Sequence, residues 1–264
     1  MYALLGATLK HSISPLIHTM IFKELNVDSK YGLLEVEERE LSDTVKQGSF
    51  NGLNVTIPYK ETVLTYMDEL SKEALQIGAV NTIEYKNGKI IGHNTDYCGF
   101  ADLLRVNDID VKNKNVVVLG TGGSSKTVVS YLLAHKVAKI LVVSRNVVHG
   151  KNTEVLSFIT YKDLHKLELV DILINTTPVG MYPNILTSPV SSDIVAKFAT
   201  VVDLIYNPYK TQLLKYAEDK FIKNINGLYM LVAQAVYAQE IWHNCKISPI
   251  VIQNIERELR RHYE

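Results

Sequence analysis

The sequence contains few cysteines, few glycines and prolines, and no excess of charge of either sign. Its 264 residues include two cysteines, 14 glycines and seven prolines. Lys and Arg together number 28 and so do Asp and Glu, which leaves a formal net charge of zero at pH 7. The low glycine and proline content excludes collagen-like and low-complexity chains. A zero net charge provides no overall basic field for nucleic acid or anionic lipid, so we expect no nucleic-acid partner.

The spacing of the two cysteines and the absence of long apolar runs indicate the cellular compartment of the protein. Cys98 and Cys245 are far apart in the sequence and have neither metal-ligand spacing nor the density of a disulfide scaffold, so we expect no metal site. No apolar run approaches the roughly 18 residues of a membrane-spanning helix, and the N-terminus has no basic flank. The prediction is a cytoplasmic protein with reduced thiols, no signal peptide and no membrane partner.

What the sequence does contain is an alternation of short apolar runs with helical patterns. Hydrophobic residues make up 47% of the chain, and 264 residues at about 150 per domain favour two domains. Apolar runs at residues 115–120, 139–144, 171–175 and 201–205 alternate with helical patterns, which is typical of a parallel sheet in βαβ units. A second alternating set precedes residue 100 and includes a hairpin. We predict an α/β fold, a boundary near residue 100, and a return of the last helices to the first domain.

A glycine-rich loop follows the first of these apolar runs. The segment GTGGSSK at residues 120–126 lies between a predicted strand and a predicted helix, the context in which such a loop holds a phosphate. Ser125 stands where the dinucleotide fingerprint has its third glycine. We expect the backbone at Gly120, Gly122, Gly123 and Ser124 to approach the pyrophosphate of a dinucleotide.

The end of the next predicted strand indicates which dinucleotide binds. An NAD-binding fold usually has an acidic residue there, whereas a nearby Arg accommodates a 2′-phosphate. This strand ends in Ser144, Arg145 and Asn146 and has no acid. The guanidinium of Arg145 offers a planar fork of donors, which favours NADP over NAD. The alternative is that Arg145 is a solvated loop charge.

Four short segments place hydroxyl, amide and charged groups at the ends of apolar strands. They are HSISP at residues 11–15, NVTIPYK at 54–60, GAVNT at 78–82 and NTD at 94–96. Taken singly, these segments can be explained by structure alone. Ser14 can cap a helix, Asn81 can cap a helix or form a turn, and Lys60 can be a surface charge. Together they offer donors for a carboxylate, partners for hydroxyls and a proton-transfer pair. This set suits a small, polyhydroxylated, anionic substrate.

These segments resemble the motifs of the NADP-dependent shikimate dehydrogenases, in the shikimate/quinate dehydrogenase family. The resemblance also includes the glycine loop, NTTPVGM at residues 175–181 and LVAQ at 231–234, all in family order. It implies reversible NADPH-dependent reduction of 3-dehydroshikimate to shikimate, on the route to chorismate and the aromatic amino acids. It also implies a substrate-binding α/β domain at residues 1–100 plus 229–264 and a Rossmann-like, doubly wound parallel-sheet NADP-binding domain at 101–228.

The resemblance assigns roles to individual residues. Lys60 and Asp96 would be the catalytic pair, and Ser12 and Ser14 would hold the substrate carboxylate. The ring hydroxyls of the substrate would be bound by Thr56, Asn81 and Gln234. Tyr206 would lie near the substrate carboxylate. The implied cofactor-binding residues are Gly120, Gly122, Gly123, Ser124, Ser144, Arg145, Asn146, Thr176, Leu204 and Gly227. We expect small-molecule partners only, and a monomer or a homodimer.

Two alternatives remain at this point. An NAD-dependent quinate/shikimate dehydrogenase shares nearly every motif, and Arg145 together with the missing acid argues against it. A non-catalytic sensor of shikimate-type ligands would keep the pocket but lack the proton-transfer pair. Lys60 and Asp96 are both present, which argues against the sensor.

Overall fold

The computed structural model describes residues 1–10, 12–146, 152–261 and 263, and the chain divides into two units. The first unit comprises Met1–Gly99 and Val232–Arg257, and the second comprises Phe100–Leu231 and Glu258–Glu264. His11, the first residue of the HSISP motif, lies outside the described residues.

The helices and strands follow one another in the order that the apolar patterns suggest, with additional short elements. The strands are β1 (Tyr2–Gly6), β2 (Tyr31–Glu35), β3 (Gly52–Val55), β4 (Glu69–Leu70), β5 (Thr82–Lys86), β6 (Lys89–His93), β7 (Asn115–Leu119), β8 (Lys139–Ser144), β9 (Leu156–Thr160), β10 (Val170–Asn175), β11 (Phe198–Asp203) and β12 (Lys223–Ile225). The α-helices are α1 (Ser14–Leu25), α2 (Leu41–Lys46), α3 (Lys72–Ile77), α4 (Thr95–Val106), α5 (Gly123–Ala134), α6 (Ser192–Val195), α7 (Gln212–Glu218), α8 (Leu228–His243) and α9 (Pro249–Arg260). Short 3₁₀ helices cover Glu38–Glu40, Thr62–Tyr66 and Tyr161–Lys166.

The sheet of the first unit is mixed, and its strand order is β2-β1-β3-β5-β6-β4. Strand β1 pairs in parallel with β2 and β3, while β5 is antiparallel to both β3 and β6. Asn54 in β3 therefore lies opposite Thr82 in β5, and Thr82 lies opposite His93 in β6. As a result, the carboxyl ends of β1, β3 and β6 and the amino end of β5 share one edge of the sheet.

Trp242 of α8 packs against this first sheet. Its ring stacks on Tyr2 of β1 at 4.7 Å between centroids, and its Nε1 donates to the Ile83 carbonyl oxygen at 2.9 Å. A Cβ atom on Gly52 would lie 2.2 Å from Trp242 Nε1, so only glycine allows this approach at position 52. The indole is thus held by a strand surface that has no side chain at the point of contact.

The sheet of the second unit is entirely parallel, and its strand order is β12-β11-β10-β7-β8-β9. The chain moves outward from β7 to β9 and then returns to β10 on the other side of β7, which is the order of a doubly wound dinucleotide-binding fold. Val117, Leu119, Val143 and Leu173 of the central strands are fully buried. The predicted fold class is confirmed. Within the described ranges, no helix combines the length and the apolar character that crossing a membrane requires.

Candidate active site

The shared edge of the first sheet carries the polar segments that the sequence singled out. The Ser12 hydroxyl donates to the Ser14 hydroxyl at 3.1 Å, so these two side chains meet. Helix α1 begins at Ser14, its N-cap residue is Ile13, and that cap makes no side-chain hydrogen bond. The capping role considered for Ser14 is therefore wrong, because the residue already lies inside the helix. Its hydroxyl faces Ser12 and not the first backbone amides.

The segment after β3 fixes the backbone of Lys60. Tyr59 is buried and its hydroxyl donates to the Val36 carbonyl oxygen at 2.7 Å. The backbone amide of Val80 donates to the Lys60 carbonyl oxygen at 2.7 Å, and Thr56 is held by its amide bond to the Leu5 oxygen at 2.9 Å. The backbone that carries the Lys60 side chain is therefore held by hydrogen bonds at Lys60 itself and at Thr56.

Lys60 and Asp96 are in direct contact. Lys60 Nζ donates to Asp96 Oδ2 at 2.6 Å, and the two side chains are only 16% and 11% exposed. Asp96 lies in the first turn of α4, where the helix dipole favours a carboxylate. The structure thus pairs the two residues that the resemblance predicts as catalytic. An ammonium held by a largely buried carboxylate is an arrangement suited to proton transfer.

Asn81 supports the start of α4. Its Oδ1 accepts from the Thr95 amide at 2.7 Å and from the Thr82 hydroxyl at 3.0 Å, while its Nδ2 donates to Thr95 Oγ1 at 3.1 Å. Asn54 Nδ2 in turn donates to Thr82 Oγ1 at 3.0 Å. The sequence reasoning did not identify Thr82, Thr95 and Asn54 as a buried network that places Asp96. Their signal was the clustering of Asn and Thr at strand ends.

Gln234 and Tyr206 lie in different units. Gln234 is part of α8 in the first unit, and Tyr206 follows β11 in the second. Burial raises the pKa of the Tyr206 phenol to about 12. The phenol is therefore neutral at physiological pH and keeps a proton to donate. The part of the chain that is described holds no cluster of three or more His, Cys, Asp or Glu residues able to bind a metal ion.

The glycine loop in the second unit leaves open space at its centre. Gly120 has a φ of +104°, and a Cβ there would lie 2.9 Å from Thr176 Oγ1. Gly122 is the N-cap of α5, and a Cβ on it would meet nothing within 4 Å. Helix α5 starts with Gly123 and Ser124. The loop and helix start therefore leave room for a phosphate to approach the backbone.

Ser125 closes the loop in place of the missing third glycine. Its hydroxyl donates to the Gly120 carbonyl oxygen at 2.7 Å, and the residue is 2% exposed. The small serine side chain still permits the close packing of helix and strand that glycine provides at this position. The departure from the fingerprint consequently adds a hydrogen bond within the loop and leaves the cradle open.

Arg145 is exposed at the end of the neighbouring strand β8. The Ser144 hydroxyl donates to the Asn146 carbonyl oxygen, which shapes the turn around Arg145. Burial raises the pKa of the nearby Tyr161 phenol, and the positive charge of Arg145 partly opposes this rise. The guanidinium is therefore at the carboxyl edge of the sheet, where a bound dinucleotide would place its ribose.

Thr176, Leu204 and Gly227 occupy the same edge on the other side of β7. Thr176 Oγ1 donates to the Leu119 carbonyl oxygen at 2.6 Å, and the Leu204 amide donates to the Asn175 oxygen at 3.0 Å. A Cβ on Gly227 would lie 2.0 Å from the Leu204 carbonyl oxygen. The second unit thus brings all ten predicted cofactor-binding residues to the carboxyl edge of its sheet, to the loops that follow it or to the start of α5.

Comparison with known proteins agrees with this geometry. One family model, described as the shikimate dehydrogenase substrate binding domain, matches residues 4–83, and a second, described as shikimate / quinate 5-dehydrogenase, matches residues 103–203. The chain belongs to the shikimate dehydrogenase family. The resemblance inferred from the motifs is confirmed.

Relatives within the shikimate dehydrogenase family match the chain along almost its whole length. A protein named shikimate dehydrogenase (NADP(+)) from Clostridium beijerinckii is 42% identical over 259 residues, which is 96% of each chain. The crystal structure of shikimate dehydrogenase 1 from Peptoclostridium difficile has a TM-score of 0.93 at 40% identity and covers 99% of this chain and 98% of its own. A Thermus thermophilus family member, crystallised with NADP(H) and shikimate, has a TM-score of 0.85 at 28% identity and covers 97% and 98%.

Proposed function

We propose that the protein catalyses the reversible NADPH-dependent reduction of 3-dehydroshikimate to shikimate, on the route to chorismate and the aromatic amino acids. The contact between Lys60 and Asp96 at 2.6 Å is the observation that carries this proposal, because it supplies a proton-transfer pair beside hydroxyl and amide side chains. The names of the relatives, shikimate dehydrogenase (NADP(+)), support the same reaction and cofactor.

In this proposal Lys60 and Asp96 handle the proton. Bound NADPH supplies the hydride to the carbonyl carbon, and the carbonyl oxygen then needs a proton to become the alcohol. Lys60 Nζ is the donor held at that oxygen, and its contact with Asp96 orients the ammonium. Because the two side chains are in contact, they act in this proposal as one proton-transfer unit.

The substrate is held by the remaining polar side chains. The adjoining hydroxyls of Ser12 and Ser14 donate to its carboxylate, and the Tyr206 phenol contributes near the same group. Thr56, Asn81 and Gln234 bind the ring hydroxyls as donors and acceptors. We propose on this basis that residues 1–100 plus 229–264 form the substrate-binding domain.

The cofactor is held by the second unit. Gly120, Gly122, Gly123 and Ser124 approach the pyrophosphate at the start of α5, where the backbone amides and the helix dipole favour an anion. Arg145, with Ser144 and Asn146, contacts the 2′-phosphate, and Thr176, Leu204 and Gly227 line the rest of the dinucleotide. We propose residues 101–228 as the dinucleotide-binding domain.

A single assay tests the reaction. The protein is mixed with 3-dehydroshikimate and NADPH, and the loss of NADPH absorbance is followed against reactions with NADH and with quinate plus oxidised cofactor. We expect turnover with NADPH and a marked preference for it over NADH. A preference for NAD and quinate would replace the proposal by the quinate dehydrogenase alternative, and binding without turnover would replace it by a ligand sensor.

We also propose that the protein works in the cytoplasm on small molecules, as a monomer or a homodimer. NADPH chemistry and two thiols outside any disulfide both suit a reducing compartment. Cell fractionation tests the location, and analytical ultracentrifugation of the purified protein measures its mass in solution.

A further inference from the structure

Asp203 is a fully buried carboxylate at the end of β11, and the proposed mechanism does not use it. Its Oδ1 accepts from Asn175 Nδ2 at 2.9 Å and from the Ile205 amide at 3.2 Å. Its Oδ2 accepts from Thr211 Oγ1 at 2.7 Å. Burial raises the pKa of Asp203 to about 6, so the folded protein bears a cost to keep the group ionised at neutral pH.

Asn175 extends this contact into the segment that follows β10. Its Oδ1 accepts from the Thr177 amide at 3.0 Å and from the Thr177 hydroxyl at 2.7 Å. Thr176, which the cofactor proposal uses, therefore lies between two residues that are tied to each other. Because Asn175 is itself held by Asp203, the carboxylate fixes the turn in which Thr176 is presented.

The same carboxylate controls the segment that follows β11. Leu204 lies between Asp203 and Ile205, whose amide is one of the donors to the carboxylate. The Leu204 amide donates to the Asn175 carbonyl oxygen at 3.0 Å. The Gly227 amide donates to the Ile205 oxygen at 3.0 Å, and Gly227 is packed against the Leu204 carbonyl group. The backbones of Leu204 and Gly227 are thus set by one buried side chain.

Thr211 completes the arrangement from a third element. It is the N-cap of α7, and its hydroxyl accepts from the Leu214 amide at 3.3 Å while donating to Asp203. Hydrogen-bond donors from three segments converge on the Asp203 side chain, so both of its oxygens have to act as acceptors. A carboxylate meets this requirement, whereas an asparagine would place an amide donor among donors.

We propose that Asp203 is a positioning residue for cofactor binding, because it joins Asn175, Ile205 and Thr211 and so presents Thr176, Leu204 and Gly227 to the dinucleotide. This inference rests on the proposed function. Asp203 acts through these residues and does not itself touch the cofactor. Its effect is on the pyridine-nucleotide site as a whole and not on the distinction between NADPH and NADH, which belongs to Arg145.

The test is a set of binding titrations with NADPH and NADH alone, without substrate, at a temperature well below the melting temperature of every variant. Asp203→Asn should weaken both cofactors by about tenfold, equivalent to about 1.4 kcal/mol, and by the same factor for each. Thr211→Val leaves Asp203 in place but removes one donor, and should weaken both cofactors similarly. Thr211→Ser restores the hydroxyl and should bind within about twofold of the wild type.

A matched control comes from the amino end of β10, the strand that pairs with the one carrying Asp203. Asp171 accepts from the Asn115 amide and from Lys114 Nζ, both at 2.9 Å, so Asp171→Asn makes the same chemical change in the same sheet. It should lower the melting temperature without changing cofactor affinity. Equal weakening by Asp171→Asn, or wild-type affinity in both Asp203→Asn and Thr211→Val, would overturn the inference. If Asp203→Asn does not fold, the cofactor affinities of Thr211→Val and Thr211→Ser test the inference. Absence of NADPH binding in the wild-type protein would instead reject the proposed function.

Discussion

Replacing Lys60 by methionine tests the catalytic pair directly. Methionine keeps an unbranched side chain of similar length and removes the ammonium, so the packing around the site changes little while the proton donor is lost. Lys60 donates to Asp96 at 2.6 Å, and with side chains 16% and 11% exposed the contact is poorly screened by solvent. The variant therefore removes the donor and leaves a largely buried carboxylate without its cation.

The size of the effect follows from these two losses. A positioned acid or base contributes roughly 10²- to 10⁴-fold to rate, so kcat for 3-dehydroshikimate reduction should fall by that factor, about 3 to 5 kcal/mol in the barrier. NADPH affinity should change less than about twofold, since Lys60 lies in the first unit and the proposed cofactor residues lie in the second. Asp96→Asn should lower kcat similarly, and the double variant should lose much less than the product of the single losses.

Steady-state kinetics and a separate NADPH titration measure both quantities. Lys89→Met is the matched control, because Lys89 forms an ion pair with Glu69 in the same sheet but both side chains are at least half exposed. Exposed ion pairs contribute little, so this variant should keep its turnover. A Lys60→Met enzyme with near-normal kcat and only a raised KM would show that Lys60 binds substrate and does not transfer the proton.

Four further predictions concern the other parts of the site. Arg145→Ala should weaken NADPH by about 10- to 150-fold and leave NADH nearly unchanged in binding titrations, and equal losses for both would reject the 2′-phosphate contact. Gly122→Ala should keep the melting temperature, since its methyl group meets no protein atom, but should weaken NADPH; unchanged affinity would mean that the cofactor does not approach this residue. The double variant Ser12→Ala, Ser14→Ala should raise the KM for shikimate much more than it lowers kcat. The same loss with a substrate analogue that lacks the carboxylate would contradict the assignment. Burial raises the pKa of Asp203 from 3.8 to about 6, so its ionisation costs nothing below pH 3.8 and stability is lost as pH rises through 6. Urea unfolding should accordingly show the stability of the wild type relative to Asp203→Asn falling by about 2 kcal/mol between pH 4 and pH 7, and a constant difference would show that the carboxylate is not buried as described.

Buried parallel strands were the elements most accessible to sequence reasoning. The apolar runs at 115–120 and 139–144 became Asn115–Leu119 and Lys139–Ser144, because a strand covered on both faces is continuously apolar. Strand β9, Leu156–Thr160, was missed, since its residues are all half-buried at the sheet edge and mix serine and threonine with apolar groups. The predicted run at 201–205 is displaced from the observed Phe198–Asp203, because apolar character continues into Leu204 and Ile205 after strand pairing has ended.

The candidate site shows a similar division. Residue types at strand ends indicated the glycine loop and a polar set that contains a proton-transfer pair, and the family resemblance assigned the roles of Lys60, Asp96, Ser12 and Ser14. The supporting contacts were not predictable, because they join residues far apart in the chain through side-chain geometry. The bond from Asn175 to Asp203 spans 28 residues, and nothing in either segment specifies the other as its partner. The capping reading of Ser14 failed for a related reason, since a general preference for serine could not locate the helix start.

The contact between Gly52 and Trp242 has a consequence for synthesis on the ribosome. The first sheet is encoded before residue 99, but the indole that covers Gly52 is encoded some 140 residues later. At roughly 5 to 20 residues per second, the surface at Gly52 stays uncovered for about 7 to 29 s after residue 99 has been added. The second unit, whose sheet is contiguous in the chain from β7 to β12, can close its core within that interval. The sheet that is translated first is therefore covered by its indole only after the whole sheet of the second unit has been translated.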